Sequence, residues 1–219
     1  MLEKKKILRK IIKVRISALS ADEKAKREKL LLDNLFSMPE FLAAKTVMLF
    51  ANLPDEIGTF SLIDKCIAMG KKVFLPVIEG DEMTVAEFSG EYRVGRYEIK
   101  EPMIKLGVDE RRVEKGERRN SSVIESRDNA CIVRNSVPEL VDVLLTDREK
   151  GPEHFDFILV PGVGFNPNGY RLGRGKGYYD KFLSKYSNLF TVGVCFREQF
   201  YLDIPTEPHD IPMQKVIVV

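Results

Sequence analysis

Apolar positions recur along the chain at two periods, and the places where the period changes mark out the elements. Residues 2–16 interleave cations with Ile7, Leu8, Ile11 and Ile12, the pattern of an amphipathic basic helix. Residues 20–23 (SADE) form a capping-box signature, so a second helix is expected from near Ala21 to about Phe36. Pro39 can start a short helical turn. Residues 46–51 (TVMLFA) are a continuous apolar run, which predicts a buried strand, and residues 52–59 (NLPDEIGT) are the loop after it. Phe60, Ile63 and Ile67 mark a further helix that Gly70 ends in the left-handed position after the cap. Residues 72–78 (KVFLPVI) and 83–88 read as two more strands. Helix, helix, strand, helix, strand is the rhythm of an open α/β sheet.

From residue 104 to about 153 the periodicity fades. The stretch DERRVEKGERRNSSVIESRDN is charged and poor in apolar residues, which predicts a surface loop or partly disordered insertion. Residues 137–145 (VPELVDVLL) suit a short helix or a strand, and the pattern does not separate the two. Periodicity then returns. Residues 157–160 (FILV), closed by Pro161 and Gly162, read as a buried strand. Tyr179, Phe182, Leu183 and Tyr186 form one apolar helical stripe, residues 190–196 (FTVGVCF) a strand, and residues 216–219 a last strand. No internal repeat is present. The expected fold is one α/β domain over residues 1–219. Its three layers are a mostly parallel, Rossmann-like open sheet with helices on both faces, carrying a charged insertion at about 105–153. Its site should lie at the strand C-termini.

Composition narrows the function classes. A chain of 219 residues can bury one sizeable core, and 44% hydrophobic with 31% charged residues is ordinary for a soluble protein. A net charge of +2 is too small for a nucleic-acid coat, so a basic site must be local. Cys66, Cys131 and Cys195 make no CxxC pair and fit a reducing cytoplasm better than a disulfide framework. His154 and His209 are too few for a His-rich zinc centre. No apolar run approaches the ~18 residues of a membrane span, and residues 1–15 are too charged for a secretory signal. A cytoplasmic monomer with no membrane or nucleic-acid partner is expected.

The chemistry concentrates between the strand at 157–160 and the helix that follows. Gly173, Gly175 and Gly177 alternate there with Arg171, Arg174 and Lys176 interleaved. Glycines let backbone amides approach an anion and the cations neutralise it, which suits a polyphosphate. The string is not a Walker A element, because Gly177 stands where a metal-holding Ser or Thr belongs, and it is not GxGxxG. Asp180, in the first helical turn, suits equally a carboxylate complementing the helix dipole and a Mg²⁺ ligand. Glu56 lies in a loop after a strand, where ligands of open sheets collect, although loop carboxylates are commonly just solvated. Lys5 with Arg9, and Lys6 with Lys10, are two i, i+4 cation pairs. Such pairs mildly destabilise a helix unless an anion sits over them, and spacing does not choose between them.

The segment PGVGFNPNGYRLGRGKGYYDKFL closely resembles the signature of the 5-formyltetrahydrofolate cyclo-ligase family, also called methenyltetrahydrofolate synthetase. LRKIIKVRISALSADEK resembles that family's basic N-terminal helix and capping segment, and MLFANLPDEIGT its strand and E-[IV]-x-T loop. Residues 95–102 (GRYEIKEP) echo a further element, Gln199 its glutamine before the closing segment, and His209-Asp210 its HD pair. The likeness covers residues 5–103 and 155–216. Asn166 stands where the family often has Asp, Gly58 replaces a usual polar residue, and the stretch from about 105 to 153 has no counterpart in shorter members.

The resemblance implies that MgATP phosphorylates the formyl oxygen of 5-formyltetrahydrofolate. N10 then displaces phosphate to give 5,10-methenyltetrahydrofolate and ADP. It implies that Lys5 and Arg9 contact the ATP phosphates. It also implies a nucleotide loop built from Arg171, Leu172, Gly173, Arg174, Gly175, Lys176, Gly177, Tyr178 and Tyr179. Asp180 and Asp210 would hold Mg²⁺. Glu56 and Tyr178 would lie at the folate, and with Arg174 and Lys176 would carry the catalysis. Glu56 would bond the pterin ring or handle the N10 proton. Another ATP-dependent small-molecule phosphotransferase on this scaffold is the alternative.

Overall fold

The computed structural model describes residues 2–79, 81–88, 90–94, 100–102, 132–134, 155–186 and 189–219. Four helices and two strands alternate in the first part: α1 (Leu2–Ser17), α2 (Ala21–Phe36), α3 (Pro39–Ala43), β1 (Thr46–Met48), α4 (Phe60–Ala68) and β2 (Lys72–Glu79). Four strands follow, β3 (Glu82–Glu87), β4 (Tyr92–Val94), β5 (Lys100–Pro102) and β6 (Ile132–Arg134). The last part holds β7 (Phe157–Val160), β8 (Gly164–Phe165), β9 (Arg171–Leu172), α5 (Tyr178–Leu183), β10 (Thr191–Cys195) and β11 (Lys215–Val218).

The main sheet has the order β11-β10-β7-β1-β2-β3, with β6 also on β2. Every pairing is parallel except β2 with β3, so an antiparallel edge closes an otherwise parallel sheet. Strands buried on both faces need apolar side chains at consecutive positions, which is why FILV and TVGVC read as unbroken runs. Alternate residues then serve two cores. Val47, Val73, Phe157, Leu159 and Val192 pack with side chains of α1, α2, α3 and α4. Met48, Phe74, Ile158, Val160 and Cys195 pack with Phe182 and Leu183 of α5 on the opposite face. The three-layer α/β arrangement is therefore present, with the helices unequally divided between the faces. Pro76, which has no N–H to give, falls between the residues of β2 that pair with β1 and those that pair with β6.

Several boundaries differ from the sequence reading. The capping box is formed, with Glu23 N–H donating to Ser20 Oγ and Ser20 N–H to the Glu23 carboxylate. The strand expected over 46–51 stops at Met48; Leu49 still donates to Phe74 O at 2.9 Å, but Phe50 and Ala51 are buried without a ladder. The helical stripe ending at Tyr186 outlasts the helix, because Tyr186 packs against Phe155 and Phe182 from a turn beyond Leu183. The glycine-rich unit also holds a β8–β9 hairpin that the sequence pattern does not show. Of the expected insertion at 105–153, residues 132–134 join the sheet as β6. The 137–145 segment lies outside the described residues, and so do residues 95–99. No helix among the described residues is long and apolar enough to cross a membrane.

Candidate functional site

Helix α1 is fastened by Ile12 and Ile16, each 1% exposed. Lys5 and Arg9 precede them by seven residues and so share their face. Arg9 Nε donates to Gly173 O at 2.8 Å, and its guanidinium lies 3.6 Å from where a Cβ on Gly175 would stand. Lys5 is buried and places Nζ 3.2 Å from Asp210 Oδ2 and 3.8 Å from Glu207 Oε2. Lys6 and Lys10 are exposed. The fold thus selects between the two cation pairs that spacing left equal.

The glycine loop runs from the β8–β9 hairpin to α5. Gly175 (φ 102°) and Gly177 (φ 68°) adopt the left-handed conformation that lets the chain turn straight into α5. Below the loop, the Phe165 ring lies against Gly162 and Gly193, so close that a Cβ on either would fall within 2.7 Å of a ring atom. Arg171 is buried; Nη2 donates to Asp180 Oδ2 at 2.8 Å, and the guanidinium lies 5.1 Å from the Tyr179 ring centroid. Asp180 Oδ1 accepts from Ile211 N–H at 3.4 Å, tying α5 to the segment before β11. Leu172 is a core side chain at 1% exposure, so any contact it makes with a ligand runs through its backbone.

At the rim of the loop Arg174 turns toward the segment after β1. Its Nη2 lies 2.7 Å from Asp55 Oδ1 and 3.0 Å from Glu56 Oε1. Glu56 Oε2 accepts from Leu53 N–H at 2.9 Å. Burial pushes the Glu56 carboxyl above the ordinary carboxylate range, against the opposing pull of the Leu53 amide and Arg174. Lys176 is exposed and makes no ion pair among the described residues. Tyr178 is half-buried against the α5-side core.

Between α1 and these loops lies a cleft of about 150 Å³, lined by Arg9, Lys13, Ile16, Asp55, Val163 and Arg174 among others. The segment after β7 that walls it is clipped by buried Gln199, whose Nε2 donates to Gly162 O and Val163 O at 3.1 Å each. Asp210 sits with Glu207 and His209 in a group whose ligand atoms lie within 4.8 Å of one another. Asp180 belongs instead to the Arg171 pair. Asn166 Oδ1 accepts from Asn168 and Tyr170 N–H, so an amide serves that turn as a carboxylate would. Gly58 is small because Glu28 of α2 fills its Cβ position. Asp55 and Lys13 were not anticipated; the adjacency of Asp55 to Glu56 was the available signal for the first.

A mostly parallel open sheet whose strand ends carry a cationic glycine loop, roofed by a basic helix and facing a buried carboxylate, is the arrangement of an α/β enzyme. The chain belongs to the 5-formyltetrahydrofolate cyclo-ligase family, whose model matches residues 1–120 and 140–219. A 5-formyltetrahydrofolate cyclo-ligase of Mus musculus is 25% identical over 97% of this chain and 92% of its own length. A probable one of Caenorhabditis elegans is 27% identical over 98% and 92%. The NMR structure of Aquifex aeolicus 5,10-methenyltetrahydrofolate synthetase matches with a TM-score of 0.65 and 30% identity, over 98% of this chain and 89% of that one. The synthetase of Mycoplasma pneumoniae shares the fold, with a TM-score of 0.63 at 20% identity over 97% of each chain.

Proposed function

We propose that the chain closes the ring of 5-formyltetrahydrofolate, with ATP and Mg²⁺, to give 5,10-methenyltetrahydrofolate, ADP and phosphate. The observation that carries the reading is the meeting of Arg9 from α1 and Glu56 from the β1 loop on one glycine loop, through Gly173 and Arg174. An amide oxygen is a poor leaving group. The formyl oxygen therefore takes the terminal phosphoryl group of ATP as ADP departs. N10 then bonds to the activated carbon and loses its proton, and inorganic phosphate leaves with the former formyl oxygen. Such chemistry asks the protein chiefly for positioning and charge neutralisation.

In this reading Lys5, Arg9, Arg174 and Lys176 neutralise the triphosphate, and the backbone from Gly173 to Tyr179 cradles it. Arg171 acts from below by fixing the loop. Glu56, a buried carboxylate with raised proton affinity, takes the N10 proton, and Tyr178 borders the folate. Asp210 and Asp180 are hard oxygen donors that fit Mg²⁺, each now balanced by a cation, Lys5 and Arg171. Mg²⁺ held there would supply charge neutralisation of the phosphates. A monomer is the assembly this reading assumes. The free, buried thiols of Cys66 and Cys195 support a cytoplasmic setting.

The test is to mix protein, MgATP and 5-formyltetrahydrofolate and follow the methenyl chromophore. Well-folded protein giving no ATP-dependent signal overturns the reading. A stable phosphorylated product would instead indicate a phosphotransferase.

A further inference from the structure

One nitrogen of Arg174 serves two acids. Nη2 lies 2.7 Å from Asp55 Oδ1 and 3.0 Å from Glu56 Oε1, so its two N–H groups are divided between neighbouring carboxylates. A guanidinium has five N–H donors. Those on Nη1 and Nε form no hydrogen bond among the described residues, and the Arg174 side chain is 47% exposed. The two acids differ in kind. Glu56 is 10% exposed and held by Leu53 N–H, whereas Asp55 is 35% exposed and borders the cleft with Arg9 and Lys13.

We infer that Asp55 is a positioning residue that acts on Glu56 through Arg174: it shares Nη2 with Glu56, dividing the charge of the guanidinium and competing for it with a ligand's phosphate. The inference rests on the proposed ATP-dependent reaction. Without Asp55, Arg174 would settle on Glu56 alone and neutralise the group that must accept a proton. With it, the cation is divided, and a phosphate on the loop draws more of its charge away from Glu56. One side chain then links nucleotide occupancy to the proton affinity of Glu56.

Among the described residues, the charged groups around this pair are few. Arg9 and Lys13 face Asp55 across the cleft from α1. Lys24 of α2 donates to Pro54 O at 2.9 Å, and Glu28 of α2 stands over Gly58. Arg174 comes from the glycine loop. Asp55 is the acid that pushes the Glu56 carboxyl further up, beyond the larger effect of burial.

These signs give a test that a loop-anchoring role would fail. Asp55→Asn removes an anion that competes with phosphate for Arg174, so MgADP should bind about two- to fivefold tighter by calorimetry, the range of one exposed ion pair. The acid limb of kcat/KM for 5-formyltetrahydrofolate should move to lower pH, because Glu56 loses a repelling neighbour. Asp55→Glu should restore both. Unchanged or weaker MgADP binding in folded Asp55→Asn protein, or an unmoved acid limb, overturns the inference. Wild-type protein that binds no MgADP would instead overturn the proposed function, and this inference with it.

Discussion

At the base of the glycine loop Arg171 is 4% exposed, paired with Asp180 at 2.8 Å and laid over Tyr179. At the rim, three residues on, Arg174 is 47% exposed and pairs with Asp55 and Glu56 at 2.7 and 3.0 Å. The distances are alike, and solvent makes the difference. A buried pair is costly to break because each partner is left as an uncompensated charge. An exposed cation such as Arg174 is held more loosely, because water can take up its charge. The base therefore fixes the shape of the loop, and the rim is free to exchange its partners for a ligand's phosphates.

Breaking the base should have the largest effect. Arg171→Met fills similar space but leaves the Asp180 carboxylate without its cation, which should cost about 3 kcal/mol or more in urea unfolding. A loss below about 1 kcal/mol would show that the base is no firmer than the rim. Gly193→Ala attacks the same base from beneath. The new Cβ would sit 2.4 Å from Phe165 Cε1, a rigid ring between the sheet and the hairpin, so overpacking should cost about 2 kcal/mol. Thermal denaturation measures it, and unchanged stability would mean that the ring has room to move.

At the rim the order of effects reverses. Lys176→Ala should leave unfolding within about 0.5 kcal/mol of wild type, because the side chain is exposed. It should nevertheless raise the KM for ATP about tenfold, the loss of ~1.4 kcal/mol of ligand binding. Steady-state kinetics with ATP varied decides it. Unchanged kinetics would remove Lys176 from the site.

What could be read from the sequence was local or periodic. SADE announced the start of α2 because both capping bonds lie within four residues. The central strands β7 and β10 announced themselves because burial on two faces leaves an almost unbroken apolar run, whereas β6, inside the expected insertion, did not. The β8–β9 hairpin stayed hidden, since strands of two residues carry no period. The Arg171–Asp180 pair stayed hidden as well, for nothing in the spacing shows that β9 and the first turn of α5 face each other. The choice of Lys5 and Arg9 was half legible. Ile12 and Ile16 mark their face, but Ile7, Ile11 and Val14 mark the opposite face equally well and lie exposed. Only the fold decides which stripe is covered.

The smallest effect tests the rim most finely. Burial, the largest influence on Glu56, raises its carboxyl above the ordinary value, while Leu53 N–H and Arg174 pull it down. If ionised Glu56 accepts the N10 proton, kcat/KM for the folate should fall as pH drops through this raised value. The acid limb then lies above the ordinary carboxylate range. Arg174→Gln removes one downward pull, so the limb should move further up, by less than about one pH unit because the pair is partly exposed. Stability runs the opposite way with pH. A carboxyl whose folded pKa is raised binds more protons in the native state, so Glu56 opposes folding increasingly as pH rises from the ordinary value through the raised one. Arg174→Gln should steepen that loss, whereas Arg171→Met should leave the folate acid limb in place. A limb that moved with Arg171 and not with Arg174 would reverse the division of labour between base and rim.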